Sequence, residues 1–194
     1  MNISLTALTS RLNFPNTMQD AEYDTGTRSV LFLCSGNYYR SRHAEIYFNW
    51  LAARCGTAWR ATSRGLALSD SNPGPVSAHT VARAAALAID ADFGARFPAP
   101  VCDGDFGAAH HVVAVKGAEH RAMIARLFPH RLAQVEFWEI HDLDCAEPEA
   151  ALPQLEREVE RLLERLTGGA AVGKTLAMLT ANQPIATCAA NTSN

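Results

Sequence analysis

The feature that most constrains this chain is a change of periodicity at residues 30–55. Val30, Leu31, Phe32, Leu33 and Cys34 form an unbroken apolar run, the pattern of a strand covered on both faces. A few residues on, Ala44, Phe48, Leu51 and Cys55 recur at helical spacing, with Gly56 as a stop. The same alternation continues. Strands are expected at 59–63, 112–115 and 135–140, and helices at 77–88, opened by Pro75 and Ser77, and at 119–128, ending before Pro129. Leu152, Leu155, Val159, Leu162 and Leu166 step by three and four between charged residues and predict a final amphipathic helix. Strands alternating with helices call for an α/β domain built on a parallel sheet. In such sheets ligands bind beyond the carboxyl ends of the strands, where Cys34 falls.

The flanks differ from this core. Residues 1–28 are polar and aperiodic and read as a poorly ordered lead-in. Residues 168–194 hold no acidic or aromatic side chain and read as a disordered tail. The working domain is therefore 29–167, and 194 residues suit one compact unit. A net charge of -3 gives no sign of nucleic-acid binding, and no run approaches the twenty or so apolar residues of a membrane span. Thr6, Thr9, Ser10 and Arg11 interrupt what would be the apolar part of a secretion signal. The five cysteines, Cys34, Cys55, Cys102, Cys145 and Cys188, have neither zinc-site nor dithiol spacing. An odd, unpatterned set fits a reducing compartment, and a cytoplasmic protein is expected.

The loop after the first strand carries the chemistry. Ser35, Gly36, Asn37, Tyr38 and Tyr39 must turn the chain sharply into the helix. Gly36 opens backbone angles closed to other residues, and Asn37 tolerates left-handed geometry. Such a turn directs N–H groups inward and ends at a helix N-terminus, which makes an anion cradle. Arg40 adds a donor fork matched to two phosphoryl oxygens. Cys34 at the floor would be favoured as a thiolate, with Ser41 able to donate its hydroxyl to the sulfur. A bare C-x5-R spacing arises by chance. Gly36, Asn37, Ser41 and the position between strand and helix turn it into a phosphate-binding site with a nucleophile.

This segment resembles the signature of the low-molecular-weight protein tyrosine phosphatases, C-x-G-N-x-C-R-S-P-x-A-E after a first strand. Cys34, Gly36, Asn37, Arg40, Ser41, Ala44 and Glu45 match it, Gly65 fits the glycine closing the second strand, and the likeness extends over 29–166. The resemblance implies a three-layer, flavodoxin-like, doubly wound fold with a four-stranded parallel sheet flanked by helices. It also implies a reaction free of metal and cofactor: Cys34 attacks phosphorus, a phosphocysteine forms, and water hydrolyses it. The substrate would be phosphorylated, with a phosphotyrosine protein as one candidate. Ser35, Gly36, Asn37, Tyr38, Tyr39, Arg40 and Ser41 would bind phosphate. An aspartate would protonate the leaving oxygen; counting from Trp138, Asp142 takes that place, with Asp144 as the alternative.

Several departures bear on detail. The family's second loop cysteine is Tyr39, the proline after Arg-Ser is Arg42, and Leu143 follows Asp142 where proline is usual. Arg42 reads as a solvated cation. Tyr38 could wall an aryl pocket or pack on the sheet edge. Alternatives are a phosphate-binding pseudophosphatase without a working acid, or an arsenate reductase-like oxidoreductase, which would need two further cysteines close together. Protein-arginine phosphatases of the family carry threonine where Tyr38 stands. The stretch GGAAVGKT, 168–175, satisfies the nucleotide P-loop pattern but follows a long helix, with too little chain after it for a nucleotide domain. His110, His111, Cys102, Asp103 and Asp105 read as loop and strand-edge residues rather than metal ligands, since adjacent strand histidines point to opposite faces. Lys116 and Glu119 lie just past a strand's carboxyl end, where they could reach the pocket rim, and read as solvated.

Overall fold

The computed structural model describes residues 26–93, 96–140 and 148–181. Strand β1 (Arg28–Cys34) leads into α1 (Arg40–Arg54), β2 (Trp59–Gly65) and α2 (Ala78–Ala86). A short helix α3 (Asp103–Ala108) precedes β3 (His111–Ala114) and α4 (Gly117–Leu127), and a 3-10 segment, Pro129–Gln134, leads to β4 (Val135–Phe137). The chain closes with α5 (Pro148–Thr167) and α6 (Ala170–Ala181).

All strand pairs are parallel, in the order β2-β1-β3-β4. The first strand lies inside the sheet and is apolar on both faces, as its sequence requires. Val30, Phe32 and Cys34 enter one core with Phe48, Leu51, Leu155, Val159 and Leu162, from α1 and α5. Leu31 and Leu33 enter the other, with Phe106 of α3 and Ile124 of α4. One sheet between two helical layers is the expected three-layer α/β fold. Crossovers between parallel strands are right-handed, and because the order runs from β1 out to β2 and then back past β1 to β3, α1 falls on one face of the sheet and α3 and α4 on the other.

The boundaries differ from sequence expectation in instructive places. The helix expected at 77–88 starts one residue later because Ser77 is its N-cap, its side chain accepting from the His79 amide at 3.3 Å. The fourth strand stops at Phe137, although Ile140 is buried and its amide still bonds the Val115 carbonyl at 2.9 Å. The short α3 carries almost no apolar periodicity and was not expected. Residues 170–181, expected as part of a disordered tail, are helical. Val172 is fully buried, and Leu176 and Leu179 pack against the α1–α5 core. A few well-placed apolar residues anchor this helix despite its uninformative composition. The P-loop-like stretch belongs to this helix and follows α5 rather than a strand, with Lys174 exposed. Among the described residues no helix is long and apolar enough to cross a membrane.

Candidate active site

The first strand ends at Cys34, which pairs with Gly65 across the sheet. Residues 35–39 then turn into α1, whose N-terminus has no side-chain cap and no acidic residue in its first turn. That leaves the positive end of a 15-residue helix to an anion. Asn37 makes the turn at φ 50°, the left-handed region that asparagine accepts at low cost.

A cleft of about 300 Å³ opens here, lined by Cys34, Ser35, Gly36, Tyr38, Tyr39 and Arg40 of the loop and closed from the far side by Ala67, Ser69, Asn72 and Ser77. The Cys34 Sγ lies at its floor, 3% exposed. The Asn37 amide donates to it at 3.2 Å. The Ser41 hydroxyl lies 2.9 Å from the sulfur and accepts from Asn37 Nδ2 at 3.1 Å. With its lone pair taken by that amide, the Ser41 proton is free to point at the sulfur. Two donors on one sulfur suit an anionic nucleophile.

Arg40 is 2% exposed and lines the same cleft as Cys34. Nη1 donates to the Ile140 carbonyl at 3.2 Å, and Nη2 lies 3.6 Å from Glu119 Oε2. Glu119 was read as solvated; instead it braces the arginine and accepts a hydrogen bond from Ser35 Oγ. Beside it, His120 is fully buried. The Lys116 amide donates to His120 Nδ1 at 3.1 Å, so a neutral ring carries its proton on Nε2, 3.3 Å from Ser35 Oγ. A donor chain thus runs from His120 through Ser35 to Glu119. Burial pushes the Glu119 carboxyl up, but the Ser35 hydroxyl and the nearby His120 and Arg40 outweigh it and hold it below the usual carboxylate range.

Behind the loop, Asn37 is fully buried. Its Nδ2 also donates to Ser63 Oγ at 2.8 Å, and its Oδ1 accepts from the Ala99 amide at 3.0 Å and from Arg96 Nη1 at 3.1 Å. Arg42, expected in solvent, is buried because Glu45 lies 3.1 Å away on the next turn, in reach of its guanidinium. On another face of α1, His43 Nε2 lies 2.9 Å from Glu156, which also receives a two-pronged contact from Arg83 at 2.8 and 2.6 Å.

The structure therefore brings together Cys34, Ser35, Gly36, Tyr38, Tyr39 and Arg40 at the cleft, with Asn37 and Ser41 as buried supports. Tyr38 is half-buried and forms a wall of the cleft, its hydroxyl donating to the Pro73 carbonyl at 3.0 Å. Asp142 and Asp144 lie outside the described residues. His120 and Arg96 escaped sequence reasoning, and the brace by Glu119 was not foreseen, because they reach the loop from 59 to 85 positions away. Only the place of Glu119 and His120 just beyond β3 offered a signal. Among the described residues no group of three or more His, Cys, Asp and Glu side chains could hold a metal. His111 pairs with Glu136 at 2.8 Å, Asp103 with Arg131 and His130, and Asp105 with Arg64 at 3.1 Å.

A cysteine and a buried arginine lining one cleft, on a turn between a parallel strand and a helix N-terminus, is an arrangement that points to the phosphatase class. The family model for low molecular weight phosphotyrosine protein phosphatase matches residues 29–171, and the chain belongs to this family of phosphatases. Among solved structures it is similar to YfkJ from Bacillus subtilis, at 21% identity and TM-score 0.65 over 74% of this chain and 97% of that one. It is similar to the low molecular weight protein tyrosine phosphatase SP-PTP from Streptococcus pyogenes, at 17% identity and TM-score 0.61 over 73% and 94%. It is also similar to the YwlE arginine phosphatase from Geobacillus stearothermophilus, at 21% identity and TM-score 0.55 over 81% and 98%. At these identities the likeness carries the fold. Among curated proteins no sequence matches.

Proposed function

We propose that this protein hydrolyses phosphomonoesters through a phosphocysteine at Cys34. The observation that carries the reading is the Cys34 sulfur, met by the Asn37 N–H and the Ser41 hydroxyl at the floor of a cleft that Arg40 closes. The thiolate attacks phosphorus in line, the S–P bond forms, and the leaving oxygen departs with a proton. Water then attacks the phosphocysteine, releasing inorganic phosphate and the thiolate. Arg40 and the loop N–H groups stabilise the equatorial oxygens in both steps, where positioning and electrostatics supply most of the rate.

For the proton we propose Asp142, with Asp144 as the alternative. Ile140, whose carbonyl holds Arg40, precedes Asp142 by two residues, and two residues span at most about 7 Å. The substrate we propose is a phosphotyrosine protein. Tyr38 walls the cleft with an aromatic ring, as an aryl ester would favour, and this argues against phosphoarginine, the substrate type named for YwlE. An arsenate reductase relay finds little support: Cys55 caps the far end of α1, about 20 Å along the helix from the loop. A cytoplasmic, reducing location would keep the nucleophilic thiol intact.

The test is p-nitrophenyl phosphate hydrolysis in EDTA by the native protein, Cys34→Ser, Asp142→Asn and Asp144→Asn. The reading requires native turnover, none from Cys34→Ser and a large loss from Asp142→Asn. Phosphate or vanadate binding without turnover or burst would instead establish a pseudophosphatase. Comparison of phosphotyrosine and phosphoarginine peptides decides the substrate.

A further inference from the structure

Asn37 sets the shape of the catalytic turn, and part of what holds Asn37 comes from far outside the turn. Arg96, on the segment that returns to the edge of β2, donates through Nη1 to Asn37 Oδ1 at 3.1 Å. Its Nη2 donates to Glu45 Oε2 at 2.6 Å and approaches Ser63 Oγ at 3.2 Å. Ser63 Oγ donates to the same Glu45 oxygen at 2.5 Å and accepts from Asn37 Nδ2 at 2.8 Å. Arg42 completes the arrangement, with Nη1 3.1 Å from Glu45 and Nη2 3.5 Å from the Arg96 carbonyl. Two arginines thus share one carboxylate directly behind the loop, and one of them also grips the asparagine.

The directionality of these bonds matters. An asparagine amide can be rotated so that its oxygen and nitrogen exchange places. Arg96 and the Ala99 amide, which donates to the same oxygen at 3.0 Å, can only donate, so together they fix oxygen on their side and leave Nδ2 facing Ser41 and Ser63. With Nδ2 donating to Ser41 Oγ, the Ser41 proton is directed at Cys34 Sγ. The reversed amide would present a carbonyl to Ser41, whose proton would turn to it and away from the sulfur.

We propose that Arg96 is a positioning residue for the Cys34 thiolate: together with the Ala99 amide it pins the Asn37 side-chain oxygen and so holds the amide that aims the Ser41 proton at the sulfur, with Glu45 keeping the guanidinium in place. This rests on the phosphatase reading for its kinetic consequence, though its effect on thiol reactivity stands apart from it. Arg96 also borders a second cleft of about 840 Å³ between α1 and residues 89–92, lined by Ile46 and Trp50. A small guanidinium ion can therefore reach the space that Arg96→Ala would leave.

The test compares native protein, Arg96→Ala, Arg96→Lys and Arg54→Ala in p-nitrophenyl phosphate turnover and in the iodoacetamide alkylation rate of Cys34, followed on its peptide by mass spectrometry. Arg54 lines the same cleft but stacks on Trp50, 4.7 Å from the ring centre, and serves as control. Loss of a charged hydrogen bond of this kind predicts that Arg96→Ala lowers kcat about 10- to 100-fold. KM should change by less than about 3-fold, since the phosphate-binding groups remain. Alkylation of Cys34 should slow with kcat, Arg96→Lys should recover part of the loss, and millimolar methylguanidinium should restore part of it in Arg96→Ala alone. Native kcat and alkylation rate in folded Arg96→Ala would overturn the proposal, as would a loss shared with Arg54→Ala or untouched by methylguanidinium. If Arg96→Ala does not fold, native behaviour of Arg96→Lys overturns it. If the native protein does not turn over, the phosphatase reading fails, and the alkylation rates alone decide the role of Arg96.

Discussion

Replacing Gly65 by alanine tests how closely the sheet edge and the catalytic turn are fitted to one another. A Cβ at this position would lie 2.5 Å from Leu68 Cδ2, 2.8 Å from the Ser35 carbonyl oxygen and 3.1 Å from Asn37 Cβ. Leu68 is 41% exposed and can swing aside. The Ser35 oxygen cannot, because it accepts from the Ala67 amide at 2.9 Å and belongs to the loop beside Cys34. Gly65 is equally fixed, its N–H bonded to the Ala99 carbonyl and its own carbonyl to the Val101 amide, each at 2.9 Å. Relief requires the turn to move by roughly half an ångström. Overpacking of this kind costs about 1–3 kcal/mol, and about 2 kcal/mol lowers Tm by roughly 4–8 °C in a chain of this size. Since displacements approaching 1 Å at a reacting centre can cost on the order of 100-fold, kcat should fall about 10- to 100-fold. Thermal melting by circular dichroism and p-nitrophenyl phosphate kinetics measure both. A Tm within about 1 °C of native and a kcat within about 2-fold would refute this account of the contact between Gly65 and the turn.

Other perturbations follow from the same coordinates. Burial pushes the Glu156 carboxyl up, but the Arg83 fork and His43 outweigh it and leave the folded group below its ordinary range. Its contribution to stability is therefore complete above the unfolded value near ~4.3 and is lost as pH falls through the folded one. Glu156→Gln should lose about 3 kcal/mol at pH 7, and urea midpoints should show its gap from native narrowing in acid; a gap that widens in acid would contradict the assignment. Glu119→Gln removes an anion beside Arg40, so inorganic phosphate should inhibit more tightly, while kcat falls because Arg40 is less constrained; weaker phosphate inhibition would count against this. Leu155→Ala, in the core between α1 and the sheet, should cost about 2–5 kcal/mol in chemical denaturation with little effect on KM; a cost below about 1 kcal/mol would mean that this core is not packed as described.

What was legible in the sequence was local. The run from Val30 to Cys34, the turn and the start of α1 follow from about fifteen consecutive residues, whose periodicity and turn chemistry report directly on backbone shape. Cys34, Arg40, Asn37 and Ser41 could be put forward as one site because they share that segment, and they lie together in the fold. The brace on Arg40 could not, because Glu119 reaches it from the segment after β3, and parallel crossovers bring together residues whose spacing in the chain says nothing. Arg42 misled for a related reason: an arginine on a helix reads as solvated until Glu45 and Arg96 are seen to enclose it. The helix at 170–181 was missed because its composition carries no strong pattern, while Val172, Leu176 and Leu179 seat it against the core.

The central claim is a covalent bond between phosphorus and the Cys34 sulfur. Acid quenching of the native protein during turnover of an aryl phosphate, with peptide mass spectrometry, tests it most directly. The account predicts a phosphate adduct on the Cys34 peptide that decays as inorganic phosphate appears, and no adduct anywhere in Cys34→Ala. Steady turnover that survives in Cys34→Ala, or an adduct carried by another residue, would contradict it.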